Sequence, residues 1–240
     1  VRTLREEVIA AARSAHPVLL YGPKGSGRAF LGSLITALRP TGRPWIRIVQ
    51  VHGDDESQVA AELFGSDTTV GARMLAEHAG GGVVVVREVQ RMSPRLQDQT
   101  ATAIANDLGA GYGARVRWIL TAEATGIEDS ASSGLAPAIL DVTKHHMIRV
   151  PALEERREDL PLLIVRLLDV VAAEQGKEIA GIDLSTLDSL LTHGFNGQMS
   201  ELLGELRRLV AGDDGPDLHL VVVVVRLVNL LQDGANVRRP

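Results

Sequence analysis

The sequence predicts an α/β domain with a central parallel sheet flanked by helices, followed by a small α-helical subdomain. Three observations predict it: a glycine-rich loop between a strand and a helix at Gly22–Ala29, an unbroken valine run at Val83–Val86, and helical periodicity with few strand signals from Glu154 to about Ala211. Strands that alternate with helices form parallel sheets, and a continuous apolar run suits a strand that is buried on both faces. We therefore divide the 240 residues into segments 1–150 and 151–240.

The glycine-rich loop has the layout of a phosphate-binding loop. It follows the apolar strand Pro17–Tyr21 and precedes the helical pattern Phe30–Leu38, so that backbone N–H groups and the helix dipole would point at one anion. The standard pattern G-x-x-x-x-G-K-[ST] uses lysine for the outer phosphates and a hydroxyl for Mg²⁺, but arginine and alanine occupy those positions here. Two interpretations are open: a nucleotide or phosphate site, or a turn that is kept because folding needs it. The candidate phosphate-binding residues are Gly22, Pro23, Lys24, Gly25, Ser26, Gly27, Arg28 and Ala29.

Periodicity and capping residues predict the other elements of the first segment. An amphipathic helix covers 1–15 and ends at His16-Pro17, because a residue before proline avoids the helical region. Ser93 and Pro94 begin a helix that runs to about Asp107, with the serine as N-cap. The remaining predictions are the strands Trp45–Val51 and Val116–Ala122, a short helix that ends at Glu62–Gly65, and a helix that ends at Leu75–Ala79.

The second segment carries leucine at helical spacing over three stretches, Leu160–Gln175, Ser185–His193 and Met199–Ala211, and we expect a helix at each. A further apolar stretch, Leu218–Leu231, contains five consecutive valines and fits either a strand or a buried helix. It is too short, and too interrupted by polar residues, to cross a membrane.

Composition excludes several function classes. The chain has no cysteine, which removes disulfides and thiolate metal sites, and its aromatic content of 3% argues against a base-stacking surface. The charged start Val1–Glu7 is unlike a signal peptide. We assign His145 and His146 a structural or solvent role rather than a metal, because neighbours on a strand point to opposite faces. We expect a cytoplasmic protein with no metal site and no membrane segment.

From about Leu4 to about Leu209, the chain resembles the AAA+ ATPase domain of sigma-54-dependent transcriptional activators. The resemblance implies a P-loop AAA+ domain, with a parallel sheet flanked by helices and a small α-helical lid. Its most specific part is the long run Arg149–Leu163, R-V-P-A-L-E-E-R-R-E-D-L-P-L-L. The landmarks, in the family's order, are the glycine loop, Glu62–Gly65, the Gly81-Gly82 pair with the following strand and Glu88, the run Arg149–Leu163, and Phe195–Leu202.

The resemblance also implies altered chemistry at the positions that handle nucleotide. Arg28 replaces the lysine that contacts the phosphates, Arg87 replaces an aspartate that helps to hold Mg²⁺, and Glu123 replaces an asparagine that senses the outer phosphate. Glu88 is retained where the family has the glutamate that polarises the attacking water, and it is the one catalytic candidate. Ser200 replaces a lid arginine that contacts nucleotide. Arg28 and Arg87 could together hold a phosphate, or Arg87 could fill the metal position and pair with Glu88 or Glu123.

Two further family features are missing. The helix that aligns with Leu135–Thr143 carries Ala136 and Val142 where the family has trans-acting arginines, and losing such arginines costs about 10³–10⁵ in rate. Segment 66–80 lacks the Gly-Ala-Phe-Thr-Gly-Ala sequence with which the family contacts sigma-54; Thr69–Ala72 is its nearest remnant. ATP or ADP therefore remain candidate ligands, whereas Mg²⁺ and a sigma-54 contact are not expected.

Two functions follow. The first is a catalytically degenerate AAA+ domain that acts as a non-hydrolysing regulatory or protein-interaction module, with itself or related AAA+ subunits as partners and no DNA-binding module of its own. The second is a nucleotide-binding AAA+ ATPase that remodels sigma-54 RNA polymerase, which rests on family analogy alone. A nucleotide sensor that binds without hydrolysis lies between them.

Overall fold

The structure, a computed structural model, describes residues 2–38, 46–52, 56–64, 82–109, 116–127, 133–177, 179, 181–195 and 198–212. The chain divides into two compact units, Val1–Pro151 and Ala152–Pro240. Three sequence predictions lie outside the described residues: the helix end at Leu75–Ala79, the missing loop in 66–80, and the valine-rich stretch Leu218–Leu231.

A five-stranded parallel sheet forms the centre of the first unit. Its strand order is β2-β3-β4-β1-β5. The parallel α/β fold is thus as predicted, but the sequence analysis missed the last strand, which has three residues and too little periodicity to detect. The strands are β1 (Val18–Gly22), β2 (Ile46–Gln50), β3 (Gly82–Arg87), β4 (Val116–Glu123) and β5 (Met147–Arg149).

Helices cover both faces of this sheet. The valine run of β3 shows why: Val83 and Val85 belong to one apolar cluster, while Val84 and Val86 belong to another on the opposite face. A strand buried on both faces is what the unbroken run predicted. The helices of this unit are α1 (Arg2–Arg13), α2 (Arg28–Ala37), α3 (Glu56–Phe64), α4 (Pro94–Gly109) and α5 (Pro137–Thr143), with a 3₁₀ turn at Val89–Arg91.

The second unit is helical in its described part. A 3₁₀ turn, Glu154–Asp159, precedes α6 (Leu160–Glu174), α7 (Leu184–Thr192) and α8 (Gln198–Ala211). All three predicted helices are present, and their leucines form one apolar core. Asp183 caps α7 by accepting hydrogen bonds from the N–H groups of Ser185 and Thr186, and side-chain and backbone hydrogen bonds from these residues lower the pKa of its carboxyl.

No helix among the described residues is long and apolar enough to cross a membrane.

Candidate phosphate site at the carboxyl edge of the sheet

The glycine loop joins the end of β1 to the start of α2. Gly25 and Gly27 have φ of 76° and 99°, the left-handed region that glycine adopts without strain. The Ser26 N–H donates to the Pro23 carbonyl at 3.2 Å, which closes the turn. Gly27 is the N-cap of α2 and supplies no side-chain cap, while the first amides of a helix have no acceptor within it. The loop therefore has the backbone geometry of an anion site.

Backbone contacts fix the base of this loop within the sheet. The Ala124 N–H donates to the Gly22 carbonyl at 3.2 Å, and the Val150 N–H donates to the Tyr21 carbonyl at 2.7 Å. A Cβ at Gly22 would collide with the carbonyl oxygen of Val150. Glycine is therefore required at this position by a close approach of two backbones.

Arg28, the first residue of α2, is buried beneath the loop with 6% of its side chain exposed. Its Nη2 lies 3.3 Å from Oε1 of Glu88, while its buried Nη1 has no hydrogen-bond partner among the described residues. Burial lowers the pKa of Arg28; the negative charges of Glu88 and Glu123 act to raise it, and Arg91 acts to lower it further. The loop thus ends in a buried guanidinium that is already paired with a carboxylate.

Glu88 follows β3 and is held in an unusual conformation. Its φ of 63° and ψ of 46° are left-handed, which is uncommon for a residue other than glycine. The Glu88 N–H donates to Thr121 Oγ1 at 3.2 Å. Its Oε2 accepts a hydrogen bond from Gln90 Nε2 at 2.8 Å and lies 3.9 Å from Nε of Arg91. Both carboxylate oxygens therefore have partners supplied by this chain.

Sequence reasoning missed Gln90, Arg91 and Thr121 as parts of this site. Arg91 was detectable in principle, because residues three apart in a 3₁₀ turn lie above one another. Thr121 was not, because its contact depends on how β4 lies beside β3.

Arg87 does not form the ion pair that the sequence suggested for it. It is the last residue of β3, and its buried Nε has no hydrogen-bond partner among the described residues. The cation that pairs with Glu88 is Arg28, with Arg91 further away. Glu123 lies across from Gly22 in the register of β4 and β1, close enough for its charge to act on Arg28. Two carboxylates and several cations thus meet at one edge of the sheet.

The residues present fit a polyphosphate better than they fit Mg²⁺. A phosphate would find loop amides, the Arg28 guanidinium with one unpartnered nitrogen, and the exposed Lys24. Mg²⁺ prefers carboxylate and hydroxyl oxygens, whereas Arg87 and Ala29 offer none and Glu88 is occupied by cations. Within the described residues, no three His, Cys, Asp or Glu side chains are grouped to hold a metal.

The other predicted positions, Ala29, Ser200, Ala136 and Val142, carry no charge. Ala29 is exposed on the first turn of α2, and Ser200 is exposed on α8 in the second unit. Ala136 is 8% exposed, and its N–H donates to Gln97 Oε1 at 2.6 Å. Val142 packs against the apolar core of the first unit. Neither Ala136 nor Val142 can supply a cation to a neighbouring molecule.

The assignment of His145 and His146 to opposite faces of a strand was wrong. Both precede β5, and both rings lie near His16, with ring centroids 4.5 Å and 6.4 Å from it respectively. They are at the amino edge of the sheet, whereas the phosphate site is at the carboxyl edge.

The fold and the loop define a P-loop protein, and sequence comparison gives the family. Residues 1–153 match the profile of the Sigma-54 interaction domain, and residues 154–233 match that of the AAA+ ATPase lid domain. The chain therefore belongs to the sigma-54 interaction domain family of AAA+ proteins, as the sequence landmarks indicated.

Individual relatives agree with this assignment. The nitrogen assimilation regulatory protein NtrX of Azorhizobium caulinodans is 24% identical over 92% of this chain and 51% of its own length. The response regulator protein PilR of Pseudomonas aeruginosa is 28% identical over 87% of this chain and 49% of its own length. The crystal structure of NtrX from Brucella abortus in complex with ATP covers 93% of this chain and 53% of its own, with a TM-score of 0.67 and 23% identity, and thus shares the fold. The chain spans about half the length of the curated relatives it matches.

Proposed function

We propose that this chain is a catalytically degenerate AAA+ domain that works as a non-hydrolysing regulatory module. The observation that carries the proposal is the ion pair between Arg28 and Glu88, which joins the position of the phosphate-contacting lysine to that of the water-polarising glutamate. A carboxylate must be free to accept a proton or orient a water molecule if it is to act as a base. Here Glu88 is engaged by Arg28, Gln90 and Arg91.

The surrounding charges support the same conclusion. Phosphoryl transfer depends on positioning and on the stabilisation of negative charge by Mg²⁺, lysine and arginine. Arg87 stands where the family has a metal-holding aspartate, and a cation there repels a divalent metal. Ala136 and Val142 cannot act as arginine fingers. Each change removes a separate part of the catalytic machinery.

The glycine loop supports nucleotide binding without turnover. Its left-handed glycines and the amides of α2 are independent of the altered side chains, and Arg28 keeps a positive charge at the lysine position. We propose ATP or ADP as the ligand, with guanidinium groups doing part of the charge neutralisation that Mg²⁺ performs elsewhere. The ligand would then bind in the presence of EDTA.

We propose that the output is a protein contact, with other copies of this chain or with related AAA+ subunits as partners. Of the named relatives, NtrX is a nitrogen assimilation regulatory protein and PilR is a response regulator protein, so the proposed setting is transcriptional or signalling control. A contact with sigma-54 is not part of the proposal, because the family's Gly-Ala-Phe-Thr-Gly-Ala sequence is missing from the chain.

Phosphate release from ATP with Mg²⁺ tests the proposal directly. We expect the purified chain and its Glu88→Gln variant to release phosphate at the same background rate. A matched control is a member of the family that hydrolyses ATP, assayed in the same buffer. Hydrolysis by the chain at the control's rate, abolished by Glu88→Gln, would overturn the proposal and favour the alternative function, an ATPase that remodels sigma-54 RNA polymerase.

A further inference from the structure

We propose that Glu88 is an internal competitor for Arg28, which it holds until a phosphate group of a nucleoside di- or triphosphate on the glycine loop replaces it. The inference rests on the proposed function in one respect, namely that the loop binds a nucleotide. It goes further by assigning a regulatory role to the Glu88 carboxylate, which the proposed function treats as catalytically inactive. It also predicts that removing this carboxylate raises the affinity for nucleotide.

The ion pair uses only part of the Arg28 guanidinium. A guanidinium presents five N–H donors in a planar fork, and its strongest pairs with anions are bidentate. Arg28 reaches Glu88 through Nη2 alone, at 3.3 Å, and its buried Nη1 has no hydrogen-bond partner among the described residues. A phosphate group, with three acceptor oxygens, could engage both nitrogens at once.

Glu88 can release Arg28 without becoming a buried, unpartnered charge. Its other carboxylate oxygen, Oε2, already accepts a hydrogen bond from Gln90 and lies within ion-pair distance of Arg91. The Glu88 side chain is 20% exposed, so water also reaches it, whereas Arg28 is 6% exposed. The cation is therefore the partner that needs an anion, and the carboxylate is the partner that can exchange.

Arg28 lies where its backbone and its side chain could meet different anions. Arg28 is the first residue of α2 and follows Gly27 of the loop directly, so its backbone belongs to the anion site while its side chain contacts Glu88. An anion at the loop amides would lie beside the Arg28 backbone. The Arg28 side chain could then pair with either of two anions, the ligand phosphate or the carboxylate of Glu88, which follows β3.

Nucleotide binding must therefore break the ion pair between Arg28 and Glu88, and this lowers the observed affinity. Removing the carboxylate should therefore tighten binding. A residue that only aligned a water molecule for hydrolysis would leave the affinity for ADP unchanged.

The test is calorimetric titration of the purified chain with ADP in EDTA, for the wild type and for Glu88→Gln. We expect Glu88→Gln to bind ADP about tenfold more tightly, within the range of about 5- to 150-fold that is usual for coupled groups. Glu88→Gly serves as a second variant, because glycine accepts the left-handed backbone of this position if glutamine does not fold there. Equal affinity of the wild type and a folded variant would overturn the proposal.

Two controls separate competition for Arg28 from a general change in charge. Glu123→Gln makes the same charge change at the same sheet edge without breaking the ion pair, and it should tighten binding less than Glu88→Gln does. In an Arg28→Gln background, Glu88→Gln should no longer tighten binding at all. Tightening that persists without Arg28, or that Glu123→Gln reproduces in full, would also overturn the proposal.

The titration distinguishes failure of this inference from failure of the proposed function. ADP has no outer phosphate to release, so its affinity reports on the competition whether or not the chain hydrolyses ATP. Binding by Glu88→Gln but not by the wild type would support the competition strongly. Absence of ADP binding in every variant would overturn it, and would leave the non-hydrolysing protein-interaction role standing.

Discussion

Two arginines are buried at opposite edges of the same parallel sheet, and one contact of each involves a different kind of acceptor. Arg28, at the carboxyl edge, pairs with a carboxylate that has other partners and reaches solvent. Arg117, at the amino edge in β4, is 1% exposed and donates from Nη2 to the carbonyl oxygen of Ala11 at 2.6 Å. That carbonyl belongs to the last turn of α1, where the helix dipole is negative. A ligand anion can replace a carboxylate, so the comparison supports the proposed ligand-binding role of Arg28, whereas the bond from Arg117 joins β4 to α1 and supports a structural role.

The largest effect should come from truncating the structural arginine. Arg117→Ala removes a long, fully buried side chain, and we expect the free energy of unfolding to fall by about 4 kcal/mol, as for other large-to-alanine changes in a core. Chemical denaturation measures it. Arg117→Met keeps an apolar stem and should recover the part of the loss that comes from packing. Equal losses in both variants would show that the polar contacts of the guanidinium, which include the bond to Ala11, matter more than packing.

The next effect comes from the backbone approach at the base of the loop. Gly22→Ala places a Cβ against the carbonyl oxygen of Val150, and we expect a loss of about 3 kcal/mol, at the upper end for overpacking. Gly32→Ala is the matched control in α2, where the added Cβ would be 3.4 Å from Cγ2 of Ile119 and alanine gains about 0.5–1 kcal/mol in helix propensity. In thermal denaturation, the free energy of unfolding of Gly22→Ala should lie well below that of the wild type. That of Gly32→Ala should lie within about 1 kcal/mol of the wild type.

A smaller effect should come from the exchangeable ion pair. Glu88→Gln leaves Arg28 buried without its carboxylate, and we expect a loss of about 2 kcal/mol in the free energy of unfolding, since Glu88 is partly exposed. Glu88→Gly should be less destabilised by about 0.5–1 kcal/mol, because left-handed backbone strains glutamine but not glycine. The comparison of the two denaturation curves isolates backbone strain from charge. A glycine variant less stable than the glutamine variant would argue against strain at this position.

The smallest effect should be a dependence on pH at the amino edge. Burial lowers the pKa of His146 below its usual 6.5, and Arg117, His16 and His145 act in the same direction. The unfolded chain therefore binds a proton before the folded chain does. This contribution to stability is complete above about pH 6.5 and is lost as the pH falls below that value. Denaturation between pH 7.5 and pH 5 should show a shallower decline for His146→Gln than for the wild type, whereas parallel curves would exclude this histidine.

Sequence alone predicted most of the elements because their signals are local. The alternation of apolar and polar residues, the glycines of the loop and the cap at Ser93 act over a few residues each. The Ser93 cap is present in the structure, where its Oγ accepts the N–H of Leu96 at 3.3 Å. The strand β5 escaped detection because three residues carry too short a pattern. The family landmarks were equally readable, since they are runs of sequence.

The sequence predicted several of the residues that form the candidate site but not how their side chains pair. The glycine loop and the candidate positions Arg28, Arg87 and Glu123 could be named, because each lies at the end of a predicted strand or at a fixed place in a motif. Which cation pairs with Glu88 could not be predicted, and the sequence analysis suggested Arg87. The pairing depends on the directions of the Arg28 and Glu88 side chains, which are far apart in the chain.

The sequence by itself determined the class of fold and the family, because residue identity and spacing are sufficient for each, and it led to the proposal that catalytic residue types are lost. Only the tertiary structure decided that Arg28 lies against Glu88, that Thr121 accepts the Glu88 N–H, and that His16 meets His145. The physical reason is the parallel register. It brings the ends of strands that are distant in the chain to one edge of the sheet, where Gly22 lies opposite Glu123. Which of the charged side chains at that edge form ion pairs then depends on how deeply each of them is buried.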